Sequence, residues 1–262
     1  MPFCRLFQLR WDNVPIAPKA DMATSTCTRK TINCTSPMND TGYFLAADLL
    51  GFGKIVKNST PAELDARMEA WSSLVESTAK TYGISQFQLI SDTIFVGIPS
   101  TQKGLISLLS FSRELLSRGI EQSFPLRGAI VHGAYRFGNL TYGRAVITAH
   151  ELEQTQNWIG IACEPGLPHI GSAWSVDVVI CYPVPKKRGP YLLQPAVSWP
   201  VPTEGELVKL LSNGNLMKEG EVYTWEVAEK ASNTTHFRLH QEYLREHDLD
   251  GSRFDGFLPK RL

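Results

Sequence analysis

Apolar and polar positions begin to pattern clearly at residue 43. Tyr43-Phe44-Leu45-Ala46-Ala47 is a short apolar run, as expected of a buried strand, and Asp48 stands at its end. Leu49 to Gly53 then reads as a glycine-spaced turn. Thr60-Pro61-Ala62-Glu63 marks a helix start, with Thr as N-cap, Pro at the first helical position and Glu three residues after the cap. Leu64, Met68, Trp71, Val75 and Tyr82 recur at helical spacing behind it, and Gly83 is the expected stop. Gln86–Ile90 and Thr93–Ile98 predict a hairpin whose tip is Ser91-Asp92. A second amphipathic helix is predicted from about Thr101 to Arg118, closed by Gly119, followed by a strand over Leu126–Gly133. Gly143–Gln156 reads as a helix and Trp158–Cys163 as a strand.

The order from residue 43 is strand, helix, strand, strand, helix, strand. It predicts an α+β fold: a ferredoxin-like split βαβ sheet with its helices on one face. Further strands are expected at Ser175–Tyr182 and Tyr191–Trp199, joined by the turn Pro183–Pro190. Helices are expected at Glu204–Leu211 and Phe237–Asp248. No linker-like stretch separates this C-terminal third, so residues 43–262 read as one domain. Residues 1–42 read as an N-terminal arm or loop, because Met22 to Thr41 is dense in Thr, Ser, Asn and Asp.

Composition narrows the function classes. The 262 residues are 43% hydrophobic, enough for a buried core, and 26 basic residues balance 26 acidic ones. That balance argues against a nucleic-acid-binding domain, which grips phosphates with surplus Lys and Arg. No apolar run is long enough to span a membrane. The five cysteines are odd in number and form no C-x-x-C pair, so neither a disulfide framework nor a four-cysteine zinc site is expected. Met1 to Arg10 lacks the continuous apolar stretch of an export signal. The expected location is a reducing cytoplasm, where the five N-x-[S/T] sequons carry no sugar.

Two acids stand out by position. Asp48 is predicted at the end of the first strand and Asp92 at the hairpin tip. In a split βαβ sheet these strands are neighbours, so the two carboxylates can lie side by side. Such a pair repels unless one member is protonated or a cation lies between them. Hard oxygen ligands suit Mg²⁺ or Mn²⁺ together with substrate phosphates. The Gly51-Phe52-Gly53 turn offers backbone N–H groups to a triphosphate.

These segments resemble the class III nucleotidyl cyclases. Phe44 to Phe52 is similar to their first metal motif, and Ser91-Asp92-Thr93-Ile94-Phe95 to their second. Leu126 to Gly133 is similar to their following strand, and Tyr142-Gly143-Arg144-Ala145-Val146 opens what resembles their catalytic helix. The form of the motifs most resembles the pyrimidine nucleotide cyclases of the bacterial Pycsar anti-phage system. The resemblance covers about residues 43–165. It implies a metal-dependent uridylate cyclase, a phosphorus–oxygen lyase that makes 3′,5′-cyclic UMP and pyrophosphate as an antiviral second messenger, read by a separate effector protein. Asp48, Asp92 and the backbone carbonyl of Leu49 would bind two Mn²⁺ or Mg²⁺ ions. Gly51, Phe52, Gly53, Lys54 and Arg127 would contact substrate. A homodimer with two shared pockets is also implied.

Departures from the family pattern are informative. The Asn and Arg that purine cyclases carry on the catalytic helix fall at Ile147 and Glu151. Arg144, Arg127 and Lys54 remain as cations for the transition state, with Arg144 taken as the catalytic one. The adenine-reading Lys and Asp fall at Gln88 and Leu140, so Gln88 is the expected reader of a pyrimidine edge. It suits uracil and cytosine equally; the preference for UTP comes from the likeness. Two alternatives stay open: a cyclase-like nucleotide-binding dimer without turnover, and a purine cyclase with altered recognition. Other signals have plainer readings. His236, His240 and His247 read as a solvated helix face, and Asp248 to Gly251 as a turn. Cys163 reads as a small buried hydrophobe, His132 and His150 as packing or interface residues, and Lys186-Lys187-Arg188 as a solvated turn.

Overall fold

A computed structural model describes residues 40–213 and 225–252. Of the predicted 1–42 arm, residues 1–39, with Cys4, Cys27 and Cys34, lie outside the described residues, and residues 40–42 belong to the first strand. The first strand, β1, spans Asp40–Leu49, beginning three residues before Tyr43. Then come α1 (Phe52–Asn58), α2 (Pro61–Thr81), β2 (Phe87–Ile90), β3 (Thr93–Pro99), α3 (Gln102–Glu121), β4 (Leu126–Tyr135), α4 (Arg144–Thr155) and β5 (Gly160–Cys163). The C-terminal third adds β6 (Val179–Val184), β7 (Leu192–Val197), α5 (Glu204–Asn213) and α6 (Trp225–Glu246). The seven strands form one sheet in the order β2-β3-β1-β4-β5-β7-β6. Its first four strands, β2-β3-β1-β4, are the expected split βαβ arrangement, all antiparallel. β5 joins parallel to β4 through the crossover helix α4.

Alternation along β1 sends its side chains to two different cores. Tyr43, Leu45, Ala47 and Leu49 pack with the buried faces of α2 and α3, including Trp71, Val75, Leu108 and Leu115. Phe44 and Ala46 face the other way, onto Ala145 and Ala149 of α4. The helices therefore cover both faces of the sheet, not one. A strand buried on both sides has no polar positions to reveal its two faces, so its sequence is a continuous apolar run.

The α2 N-terminus is the predicted capping box. Thr60 Oγ1 accepts from Glu63 N–H, while the Glu63 carboxylate accepts from Thr60 N–H at 2.7 Å. The Gly51 turn differs from expectation: it opens directly into α1, with Gly51 at φ 83 as the residue before the helix. Gly119 does not end α3, which continues to Glu121. A Cβ at 119 would lie 2.7 Å from the Phe124 carbonyl oxygen, so glycine lets the returning chain approach the helix. The last helix begins at Trp225, well before Phe237. Its buried positions include Thr234, Thr235, His240 and Gln241, whose polarity hides the helical stripe. His240 is thus part of the core, bonded to the Cys181 carbonyl at 3.2 Å, and not on a solvated face. Cys163 is buried, and burial pushes its thiol pKa up.

Candidate functional site

The side chains facing α4 lead to the site. Along β1 that face runs Phe44, Ala46, Asp48. On the neighbouring strand Arg127 pairs directly opposite Asp48, so both side chains point the same way. On α4 the buried positions are Ala145, Ala149 and Glu153, each four residues apart. Near its C-terminal end the apolar layer gives way to Asp48, Arg127 and Glu153. Arg127 and Glu153 form a buried ion pair: Arg127 Nε donates to Glu153 Oε1 at 2.6 Å, and Nη1 to the Gln156 carbonyl at 3.2 Å.

The hairpin tip supplies the second acid. β3 pairs with β1 over Gly42↔Pro99 to Ala47↔Ile94, which carries Thr93 and Asp92 to the level of Asp48. Thr93 Oγ1 lies 3.4 Å from Asp48 Oδ1. Asp92 lies close enough to act on Asp48, whose carboxyl pKa is pushed up to about 7. Burial is the largest cause, followed by hydrogen bonding to Asp92 and its negative charge. Glu153 adds to the rise and Arg127 opposes it. Ser91 takes a left-handed backbone, φ 60, which makes the unfavoured Ser-Asp pair serviceable as a turn.

This pair fits a hard divalent ion. Two carboxyl groups forced together, one of them with its pKa raised by burial and by its neighbour, are relieved by a cation between them. Among the described residues no group of three His, Cys, Asp or Glu side chains gathers into a closed metal centre. Two carboxylates leave coordination positions for water or phosphate, as Mg²⁺ and Mn²⁺ require and structural zinc does not.

The other predicted residues are distributed unevenly. Gly51 precedes α1 and Gly53 is exposed, with open space where a Cβ would be. Phe52 packs against the main core, and Lys54 is exposed on α1. Leu49 is buried beside Asp48. Gln88 lies on β2, two strands across from Asp48, and its amide is held by the β4–α4 loop: Nε2 donates to the Gly138 carbonyl, and Thr141 donates to Oε1 at 2.5 Å. Arg144 is not brought to the carboxylates. It begins α4 beside Tyr135, and the register from Asp40↔Tyr135 to Asp48↔Arg127 separates those ends by about 27 Å at roughly 3.4 Å per residue. Leu140 and Ile147, near Arg144, are 76% and 61% exposed.

Glu153 and Thr93 were not singled out in the sequence. Glu153 carries a signal: it continues the Ala145–Ala149 spacing, so a charge was due on a buried stripe. Thr93 carries none beyond its place after Asp92.

Solved structures give a consistent set of fold likenesses. The guanylate cyclase domain of RhGC from Catenaria anguillulae, in complex with GTP, shares 14% identity over 61% of this chain and 96% of its own, at a TM-score of 0.48. The adenylyl cyclase CyaB from P. aeruginosa shares 17% over 60% of this chain and 92% of its own, at 0.45. The guanylyl cyclase domain of the RhoGC fusion protein from Blastocladiella emersonii shares 17% over 55% and 89%, at 0.47. No family model and no curated protein matches the chain.

Proposed function

We propose that the protein is a metal-dependent nucleotide cyclase that converts a pyrimidine nucleoside triphosphate, UTP by preference, to its 3′,5′-cyclic monophosphate and pyrophosphate. The observation that carries the reading is the close placement of Asp48 and Asp92 where β1 and the hairpin tip meet. Asp48, Asp92 and the Leu49 carbonyl would hold two Mn²⁺ or Mg²⁺ ions, which would supply acidification of the ribose hydroxyl and charge relief on the phosphates. Arg127, tied to Glu153, sits opposite Asp48 on the neighbouring strand, where its charge favours the ionised Asp48 carboxylate. Attack of the 3′-oxygen on the α-phosphorus forms the cyclic phosphodiester; the bond to the bridging oxygen breaks and pyrophosphate leaves.

The distribution of residues supports a homodimer. Gln88 lies two strands from Asp48, and Arg144 at the other end of α4, whereas a second copy could bring them to the carboxylates. Exposed Leu140, Tyr142 and Ile147 provide apolar surface for that contact. The amide of Gln88 keeps one free N–H and one free lone pair beyond its bonds to Gly138 and Thr141, the pattern that complements a pyrimidine edge. The role as an anti-phage second-messenger enzyme, with a separate effector, rests on the motif resemblance alone. The cytoplasmic location rests on the sequence having no recognised export signal and no disulfide framework, and the division near residue 42 on the polar composition of residues 22–41, although β1 already begins at Asp40. No described helix is long and apolar enough to cross a membrane.

The test is purified full-length protein with each of the four nucleoside triphosphates and Mn²⁺ or Mg²⁺, read by separation of products. Cyclic UMP with pyrophosphate is expected, and Asp48→Ala and Asp92→Ala should each abolish it. No cyclic product from any nucleotide sinks the reading. A second reading has its own observation: Glu151 and Ile147 are exposed on α4, where purine cyclases carry Arg and Asn. That reading expects nucleotide binding without pyrophosphate release, and the same assay separates the two.

A further inference from the structure

The C-terminal third meets the carboxylate site along residues 155–159. The β6–β7 turn docks there: Lys187 N–H donates to the Thr155 carbonyl at 2.8 Å, Asn157 N–H to the Pro185 carbonyl at 2.9 Å, and Gln156 bridges Lys186. The helix α6 docks on the same segment. Asn233 Nδ2 donates to the Asn157 carbonyl at 2.7 Å, and Ile159 N–H to Thr234 Oγ1 at 3.0 Å. Thr234 in turn bonds the Lys230 carbonyl at 2.7 Å, one helical turn back. Arg127 reaches the same segment from below, through Gln156.

Three elements thus converge with their cations. Burial lowers the pKa of Lys187 first, and then the positive charges of Arg127 and Lys230 lower it further; Glu153 and Asp48 oppose. Lys230 behaves alike. Burial lowers it first, Arg127 and Lys54 lower it further, and Glu226 and Glu229 of its own helix oppose. Among the described residues neither ammonium group forms an ion pair. Lys230 Nζ has, among the described residues, only the Glu226 carbonyl, at 3.5 Å. Arg127 repels Lys187 and Lys230, which repel each other, and Lys54 repels Lys230; among the described residues only Arg127 of these four has a carboxylate partner. Holding like charges together costs free energy that a multivalent anion returns.

We propose that Lys187 and Lys230 bind the polyphosphate tail of a nucleoside triphosphate whose α-phosphate lies at Asp48 and Asp92, so that the C-terminal third completes the substrate site. This rests on the carboxylate pair being the nucleotide site. The ligand chemistry is a chain of linked phosphates, and the same groups would retain pyrophosphate after the reaction.

The probe is inorganic triphosphate, titrated calorimetrically into the full chain with Mn²⁺. Wild type is expected to bind. Lys187→Gln and Lys230→Gln should each weaken binding about tenfold and together about a hundredfold, as for loss of charge-assisted contacts. Lys187→Arg and Lys230→Arg should stay within a few-fold of wild type. Lys80→Gln, which removes one charge from α2, should change binding less than twofold. Thermal melting confirms that each variant is folded. Wild-type protein that does not bind the probe, a double variant that binds within twofold of wild type, or an equal loss from Lys80→Gln overturns the proposal. Turnover keeps the two readings apart. Cyclic product with an unchanged KM and unchanged inhibition by inorganic triphosphate in the double variant removes the lysines and leaves the cyclase. Lysine-dependent binding without cyclic product from wild type removes the cyclase and leaves the polyphosphate site.

Discussion

Asp48 concentrates several opposing forces in one side chain. Burial and Asp92 favour its neutral form, and Arg127 favours the charged one; the outcome is a carboxyl with a pKa of about 7. The unfolded chain releases that proton near the ordinary carboxylate value, about 3.9. Between these limits the folded state holds a proton that the unfolded state lacks. Stability from this group therefore falls as pH rises from about 4 to about 7, and stays low above that. Asparagine mimics the neutral form and does not titrate. Metal-free Asp48→Asn should consequently melt above wild type, by a margin that widens from pH 5 to pH 8. Thermal melts at the two pH values in chelator check this, and a constant margin would show that the shift is not there. Identity and approximate level of both acids were legible from the sequence, because a strand end and a hairpin tip are local features. The raised pKa of Asp48 was not, since it depends on burial and on a neighbour 44 positions away.

At the level of elements, glycine shows how far local signals reach. Gly51, Gly83 and Gly119 all suggested breaks in the chain. The first two take left-handed backbone, with φ 83 and φ 67, as a break requires. Gly119 stays helical, and its role is the space it leaves for Phe124. Gly119→Ala would gain about 1 kcal/mol of helix propensity. The added methyl would meet backbone at 2.7 Å, which cannot move aside as a side chain can. The net effect should be a loss of about 1–3 kcal/mol, measurable by urea denaturation; a stabilised variant would refute the packing account. The α2 cap was legible because Thr60 and Glu63 carry the whole motif in four residues. The start of α6 was not, because its buried Thr, His and Gln are stabilised by partners on other elements.

For the whole molecule, the arrangement separates Asp48 from Arg144 at opposite ends of the surface under α4. If a partner supplies the missing end, two inactive variants can complement each other. Asp48→Ala and Arg144→Ala should each lack cyclase activity. Refolded together in equal amounts, about half of the dimers would be mixed, each with one intact pocket, so about a quarter of wild-type activity should return. Activity that remains absent in a mixture shown to exchange subunits would place both residues in one chain's site or remove Arg144 from it. The C-terminal third belongs to this scale as well. Its basic turn is solvated as expected, with Lys187 and Arg188 exposed. Docking on residues 155–157 sets Lys187 within reach of the charges of Arg127 and Asp48.

The sequence alone determined the split βαβ order, the α2 N-cap and the positions of the two acids, because each is written in the spacing of near neighbours. Only the tertiary structure decided that both sheet faces are covered, that Arg127 is tied to Glu153, and that Lys187 and Lys230 of the last third come under the influence of Arg127. Those outcomes depend on which distant segments pack together, and a burial or an ion pair exists only once both partners are in place.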